Sequence, residues 1–218
     1  MAEFIMKDMV KKTGREDSFV IASAAVSSEE LGSPVYPPVR RLLSERGISC
    51  EGKYARKITS KDYEDYDFIV GMDEENIVRL YRFFGGDPEG KIHNLLDFAG
   101  RIGEEIPDPW YTRDFDSALE DVCEGCLSLY KALTPGAEVT LDFSDCAGRG
   151  GLYKIMRERM LWQEDYGSNL DALYDVLTGL PYYGSSFALV LPRDEELRDY
   201  ALRVADIFNA AGVPVEIK

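Results

Sequence analysis

Pro107-Asp108-Pro109-Trp110-Tyr111 is the stretch of this 218-residue chain whose residue types most readily do chemistry. Prolines on both sides restrict the backbone, so the loop presents the Asp108 carboxylate in a fixed direction, as a general acid requires. A stiff surface turn has the same composition, and the motif by itself is compatible with either. Cys123-Glu-Gly-Cys126 has the C-x-x-C spacing. It falls, however, inside the series Phe115, Leu119, Val122, Cys126, Leu129, Leu133, one face of a long helix, so core cysteines are expected rather than a metal site. His93 is the only histidine, which excludes a mechanism needing two. Asp171 and Asp175 are helix neighbours four residues apart, with Leu170, Leu173 and Leu177 on a separate apolar stripe. That spacing fits an acidic recognition face, and equally a capping box from Ser168 to Asp171 with Asp175 solvated.

With 25 Lys and Arg against 40 Asp and Glu the formal charge is -15. Phosphate backbones are bound by counterion release onto basic residues, so no nucleic-acid partner is expected and a basic one is. The longest apolar stretches, Val20 to Val26 and Phe187 to Leu191, fall far short of the roughly 20 residues of a membrane helix. No membrane partner is therefore expected. The first dozen residues mix charged and apolar types, which yields no secretory segment and a cytoplasmic reading. Four cysteines in a chain of this length are expected to be reduced thiols, and no cofactor or metal is implied.

The elements that must position these groups alternate between helix and short strand. The pattern predicts a helix over Ala2 to Lys12, a buried strand over Phe19 to Ala24, and a helix from Pro38 to Arg46 stopping at Gly47. A strand is predicted over Asp67 to Met72, then a helix capped by Asp73 with Ile77, Leu80, Tyr81 and Phe84 on one face. Lys91 to Leu95 reads as another strand and Asp114 to Leu133 as a long helix. Thr134-Pro-Gly-Ala137 breaks the pattern as a linker. Beyond it follow strand Glu138 to Asp142, helices Gly151 to Trp162 and Ser168 to Thr178, strand Phe187 to Leu191, helix Arg193 to Ala211 and strand Val213 to Lys218. The fold class is α/β, two small parallel-sheet domains at residues 1–133 and 138–218 joined by 134–137.

Over residues 1 to about 133 the string Met1-Ala-Glu-Phe4, Ser33-Pro34-Val35, Arg46-Gly-Ile48, Ala55-Arg56, Tyr63-Glu-Asp-Tyr-Asp67, Gly71-Met-Asp73 with Asn76, Leu95-Leu-Asp-Phe98 and Asp108-Pro-Trp-Tyr111 resembles the low-molecular-weight protein-tyrosine phosphatases, in the same order. The resemblance implies a three-layer α/β/α domain and phosphomonoester hydrolysis through a phosphocysteine formed in a C-x-x-x-x-x-R loop. It makes Asp108 the general acid, with Trp110 and Tyr111 flanking the substrate ring. In that family the phosphate loop lies directly before the helix that here starts at Met1. Nucleophile, loop and first strand are thus expected to be absent, through a gene start assigned too late in an active phosphatase or in a natural pseudophosphatase. Phosphotyrosine proteins or small phosphoesters are expected as substrates only with the loop restored. Cys50-Glu-Gly-Lys-Tyr-Ala-Arg56 matches the count of that loop. It lacks a preceding strand, a helix start and an uncharged lining, and is expected to be a decoy. Loss of a central strand between Phe19–Ala24 and Asp67–Met72 predicts either direct pairing of those two strands or a marginal domain, since orphaned backbone groups cost about 1–3 kcal/mol each.

Residues 138–218 resemble barstar, an intracellular ribonuclease inhibitor, through Tyr166-Gly167, Asn169-Leu-Asp-Ala-Leu173 and Asp175 with Leu177-Thr-Gly179. Asp165 and Leu180 stand where the type member has aromatics. The resemblance implies that Asn169, Asp171, Tyr174, Asp175, Thr178 and Gly179 contact a basic, barnase-like ribonuclease, carboxylates taking the place of RNA phosphates. Together these features predict an inhibitor of a basic ribonuclease fused to a phosphatase-like domain that is inactive as this polypeptide.

Overall fold

Ile5, Met6, Met9 and Val10 are spaced for one helical face, and all four are buried along helix α1 (Ala2–Lys12). In this computed structural model, which describes residues 1–162, 167–179 and 182–218, the chain divides into two units. One comprises Met1–Val10 with Glu16–Ala132, the other Lys11–Arg15 with Leu133–Lys218.

In the first unit α2 (Pro37–Glu45) opens with two prolines at its first positions, where a missing N–H costs nothing, and the chain turns away at Gly47, φ 72°. Helix α3 (Ser60–Asp65) starts with a capping box in which Asp62 accepts from the Thr59 amide at 2.7 Å. Strand β1 (Ile69–Gly71) leads into α4 (Glu74–Phe84), capped as expected by Asp73, which accepts from the Asn76 amide at 2.5 Å. Leu80 is buried on α4, whereas Tyr81 is exposed and leaves the expected apolar face. Strand β2 (Ile92–Asn94) pairs parallel to β1 with Ile69 opposite Ile92. A single turn α5 (Pro109–Thr112) and the long α6 (Phe115–Leu133) complete the unit. Cys123 and Cys126 lie among the buried residues of α6, and burial pushes the Cys126 thiol up to about 12. Gly125 lets α6 pass close to Leu95, whose Cγ would lie 2.5 Å from an added Cβ.

The strand expected over Phe19–Ala24 does not form. This segment has no regular secondary structure, Val20 is 83% exposed, and next to it only Ala25 is bridged, parallel to Lys57. The Ala25 amide donates to Arg56 O at 2.8 Å and its carbonyl accepts from the Ile58 amide at 3.0 Å. Nor does the segment pair with β1, so the expected direct pairing of the two is corrected. The reason is that a β-branched run becomes a strand only against a ladder partner. Here Ala24 and Val26 are held on the cluster of Ile58, Ile69, Leu80 and Ile92, and β2 is the strand that β1 pairs with.

The second unit is built on a parallel sheet in the order β3 (Glu138–Asp142), β4 (Ser186–Val190), β5 (Val215–Ile217). Val139, Leu141, Phe187, Ala188 and Leu189 fill its core. Helix α7 (Gly148–Arg159) begins three residues before its expected start, α8 (Leu170–Gly179) carries the acidic pair, and α9 (Glu195–Ala210) is capped by Asp194, which accepts from the Leu197 amide at 2.8 Å. A buried pair of hydroxyls, Tyr153 and Tyr200 at 2.8 Å, ties α7 to α9. Burial and this hydrogen bond push the Tyr153 phenol well above its ordinary value.

Candidate functional site

Asp108 sits at the start of α5, exposed, with backbone φ -62° and ψ 115°. Its Oδ1 accepts from the Trp110 amide at 2.8 Å, which fixes the direction of the carboxyl group and leaves Oδ2 without a hydrogen bond among the described residues. Proline at the first helical position pre-sets the turn, as the sequence suggested. Trp110 is 50% and Tyr111 82% exposed, so both rings stand beside the carboxylate open to solvent. Three contacts hold this loop. The Ile106 amide donates to Met72 O at 2.9 Å, just past β1. Tyr36 meets Trp110 edge-on at 5.0 Å between ring centroids and lies 5.9 Å from Phe115. Arg113, in the left-handed region at φ 63°, stacks over Trp110 at 5.2 Å and donates to Tyr36 Oη at 3.4 Å. Upstream, Arg101 donates to Glu104, Asp121 and Glu124 at 2.9, 2.6 and 2.8 Å, pinning the approach to the loop onto α6. Those three carboxylates push the Arg101 guanidinium further above its ordinary value.

Tyr36, Arg101 and Arg113 were not singled out in the sequence. The one local signal is Tyr36 lying between Val35 and the pair Pro37-Pro38, which stiffens its backbone.

Cys50 and Arg56 do not converge. Cys50 is buried at the edge of a cavity of about 540 Å³ that is also lined by Arg40, Ser49 and Lys53. Arg56 is taken up by Asp62 in a two-pronged pair at 3.0 and 2.7 Å. Its guanidinium, with other groups nearby, brings the Asp62 carboxyl down to about 2. The intervening amides are used as well, Lys53 N donating to Cys50 O at 3.4 Å and Ala55 N to Ser33 O at 2.9 Å. The Glu51 amide donates to Ser49 Oγ at 3.3 Å, so three of the amides between Cys50 and Arg56 are turned to partners within the chain rather than converging on an anion.

At the start of α1, Glu3 is buried and accepts from Lys7 and Ser23 at 2.6 Å each and from Lys53 at 2.5 Å. Burial alone would raise its pKa, but the hydrogen bonds from Lys53, Lys7 and Ser23 outweigh it and bring the carboxyl to about 2. Among the described residues no group of three or more His, Cys, Asp or Glu is arranged to hold a metal ion. Nor, among the described residues, is any helix long and apolar enough to cross a membrane.

In the second unit α8 buries Leu173, Val176 and Leu177 and exposes Asn169, Asp171, Tyr174, Asp175, Thr178 and Gly179. Asp171, Tyr174, Asp175 and Thr178 stand at i, i+3, i+4 and i+7, so they form a single stripe on the solvent face. The cap is Asn169 rather than Ser168, its Oδ1 accepting from the Ala172 amide at 2.9 Å. This corrects the expected capping box and leaves Asp171 unengaged by the helix start. Leu170 is half-buried, and Val176 completes the apolar face in its place. Thr178 Oγ1 donates to Tyr174 O at 2.9 Å, turning its methyl and hydroxyl along the stripe. Asp165, Tyr166 and Leu180, which the sequence comparison drew upon, lie outside the described residues. Two exposed carboxylates, a phenol and a hydroxyl on one rigid helix form a surface suited to guanidinium and ammonium donors.

Residues 136–213 match the family profile described as barstar, barnase inhibitor. Residues 1–138 match that of the low molecular weight phosphotyrosine protein phosphatases. The chain is 32% identical over 134 residues to the low molecular weight protein-tyrosine-phosphatase YfkJ of Bacillus subtilis, spanning 61% of this chain and 86% of that protein. The crystal structure of YfkJ superposes with a TM-score of 0.58 over 61% of this chain and 84% of its own. The low molecular weight phosphatase SP-PTP of Streptococcus pyogenes, also 32% identical, gives 0.54 over 61% and 83%. Matched over residues 1–138, more than half of its length, this chain belongs to the low molecular weight phosphotyrosine protein phosphatase family.

Proposed function

We propose that the second unit binds and inhibits a basic, barnase-like ribonuclease through α8, and that the first unit, as these 218 residues stand, does not turn over phosphomonoesters. The observation that carries the nuclease reading is the exposed stripe of Asp171, Tyr174, Asp175 and Thr178, set on a helix whose opposite face is buried. Carboxylates at that spacing meet arginine and lysine side chains that otherwise bind RNA phosphates. The acidic balance of the whole chain, -15, draws a cationic enzyme toward it before contact.

For the first unit, Asp108 supplies a proton to a leaving phenolate only after phosphorus has been attacked. Cys50, the thiol with the matching C-to-R count, is buried, and Arg56 is committed to Asp62. Trp110 and Tyr111 remain suited to flank an aromatic phosphoester, so a phosphotyrosine protein or small phosphoester becomes a substrate once a phosphate loop is supplied. Titration against a basic microbial ribonuclease tests the first claim: nanomolar inhibition is expected, and its absence across a panel of such enzymes sinks the reading. For the second, para-nitrophenyl phosphate is expected to remain uncleaved. Turnover that disappears in Cys50→Ser would overturn it.

A further inference from the structure

We draw no further inference here: the strongest candidate, the cavity of about 540 Å³ between α2 and residues 47–54 of the first unit, carries nothing, because the two cations on its wall are already engaged, Arg40 donating to Val35 O at 3.2 Å and Lys53 to the Glu3 carboxylate, and nothing in the structure shows what fills it.

Discussion

The Tyr36 ring meets that of Trp110 edge-on at 5.0 Å, and the Tyr36 hydroxyl also accepts from the Arg113 that stacks on the other ring. The two aromatics come from α2's entry and from the Asp108 loop, so a side chain remote in sequence sets the posture of the candidate acid. Aromatic pairs of this geometry are worth about 0.5–1.5 kcal/mol beyond their burial. Tyr36→Ala is therefore expected to leave the far-ultraviolet spectrum unchanged while making Trp110 more accessible to acrylamide quenching. A Trp162→Phe background isolates the signal, because the chain has two tryptophans.

Glu3 ties α1 to Ser23 and Lys53 and titrates at about 2. In the unfolded chain a glutamate titrates near its ordinary value, so the native state holds the proton less tightly. Stability from this group is complete above that ordinary value and is lost as pH falls toward 2. The shift corresponds to roughly 3 kcal/mol, and the side chain is only 5% exposed, so solvent screening takes little from it. Denaturant unfolding followed by Trp110 fluorescence should show this loss with falling pH. Glu3→Gln is expected to be less stable at neutral pH and to have a flatter acid limb. Asp62, also near 2, keeps part of the slope in the variant.

Gly125 offers a prediction in which propensity and packing disagree in sign. An alanine in the middle of a helix is favoured over glycine by about 1 kcal/mol. Here its Cβ would lie 2.5 Å from Leu95 Cγ and 3.2 Å from Leu95 O. The carbonyl oxygen is backbone and cannot swing aside, so overpacking wins. Gly125→Ala is expected to lose about 1–3 kcal/mol. A gain in the unfolding midpoint would show that α6 shifts away from Leu95 freely.

Much of this was legible beforehand because it is local. Prolines around Asp108 announced a fixed loop, and the 3.6-residue period around Leu173 and Leu177 separated the buried face of α8 from the acidic one. Ser168 and Asn169 are both good caps and stand side by side, so the sequence could not choose between them. Tyr36 and Arg113 escaped because their role exists only where distant segments meet. The strand over residues 19–24 was misjudged for a related reason: a β-branched run states a preference for the ladder but carries no information on whether a partner is there.

Asp171 and Asp175 allow function and stability to be told apart by sign. Both are exposed, four residues apart on α8, and neither forms an ion pair among the described residues. Like charges at that spacing cost the helix a few tenths of a kcal/mol, so Asp175→Ala is expected to hold or slightly raise the unfolding midpoint of the second unit. Against a basic ribonuclease the same change is expected to cost about 2 kcal/mol or more, roughly thirtyfold in Kd, with most of the loss in the dissociation rate. Asp171→Ala is expected to weaken binding as well. The double variant should fall short of the sum of the two if both carboxylates serve one desolvated cluster of cations. Raising salt should slow association of the parent more than that of the double variant, because two steering charges are gone. A helix face kept merely for solubility would give a different pattern: stability would rise in the same way, but binding constants for the parent and the variants would coincide at every ionic strength.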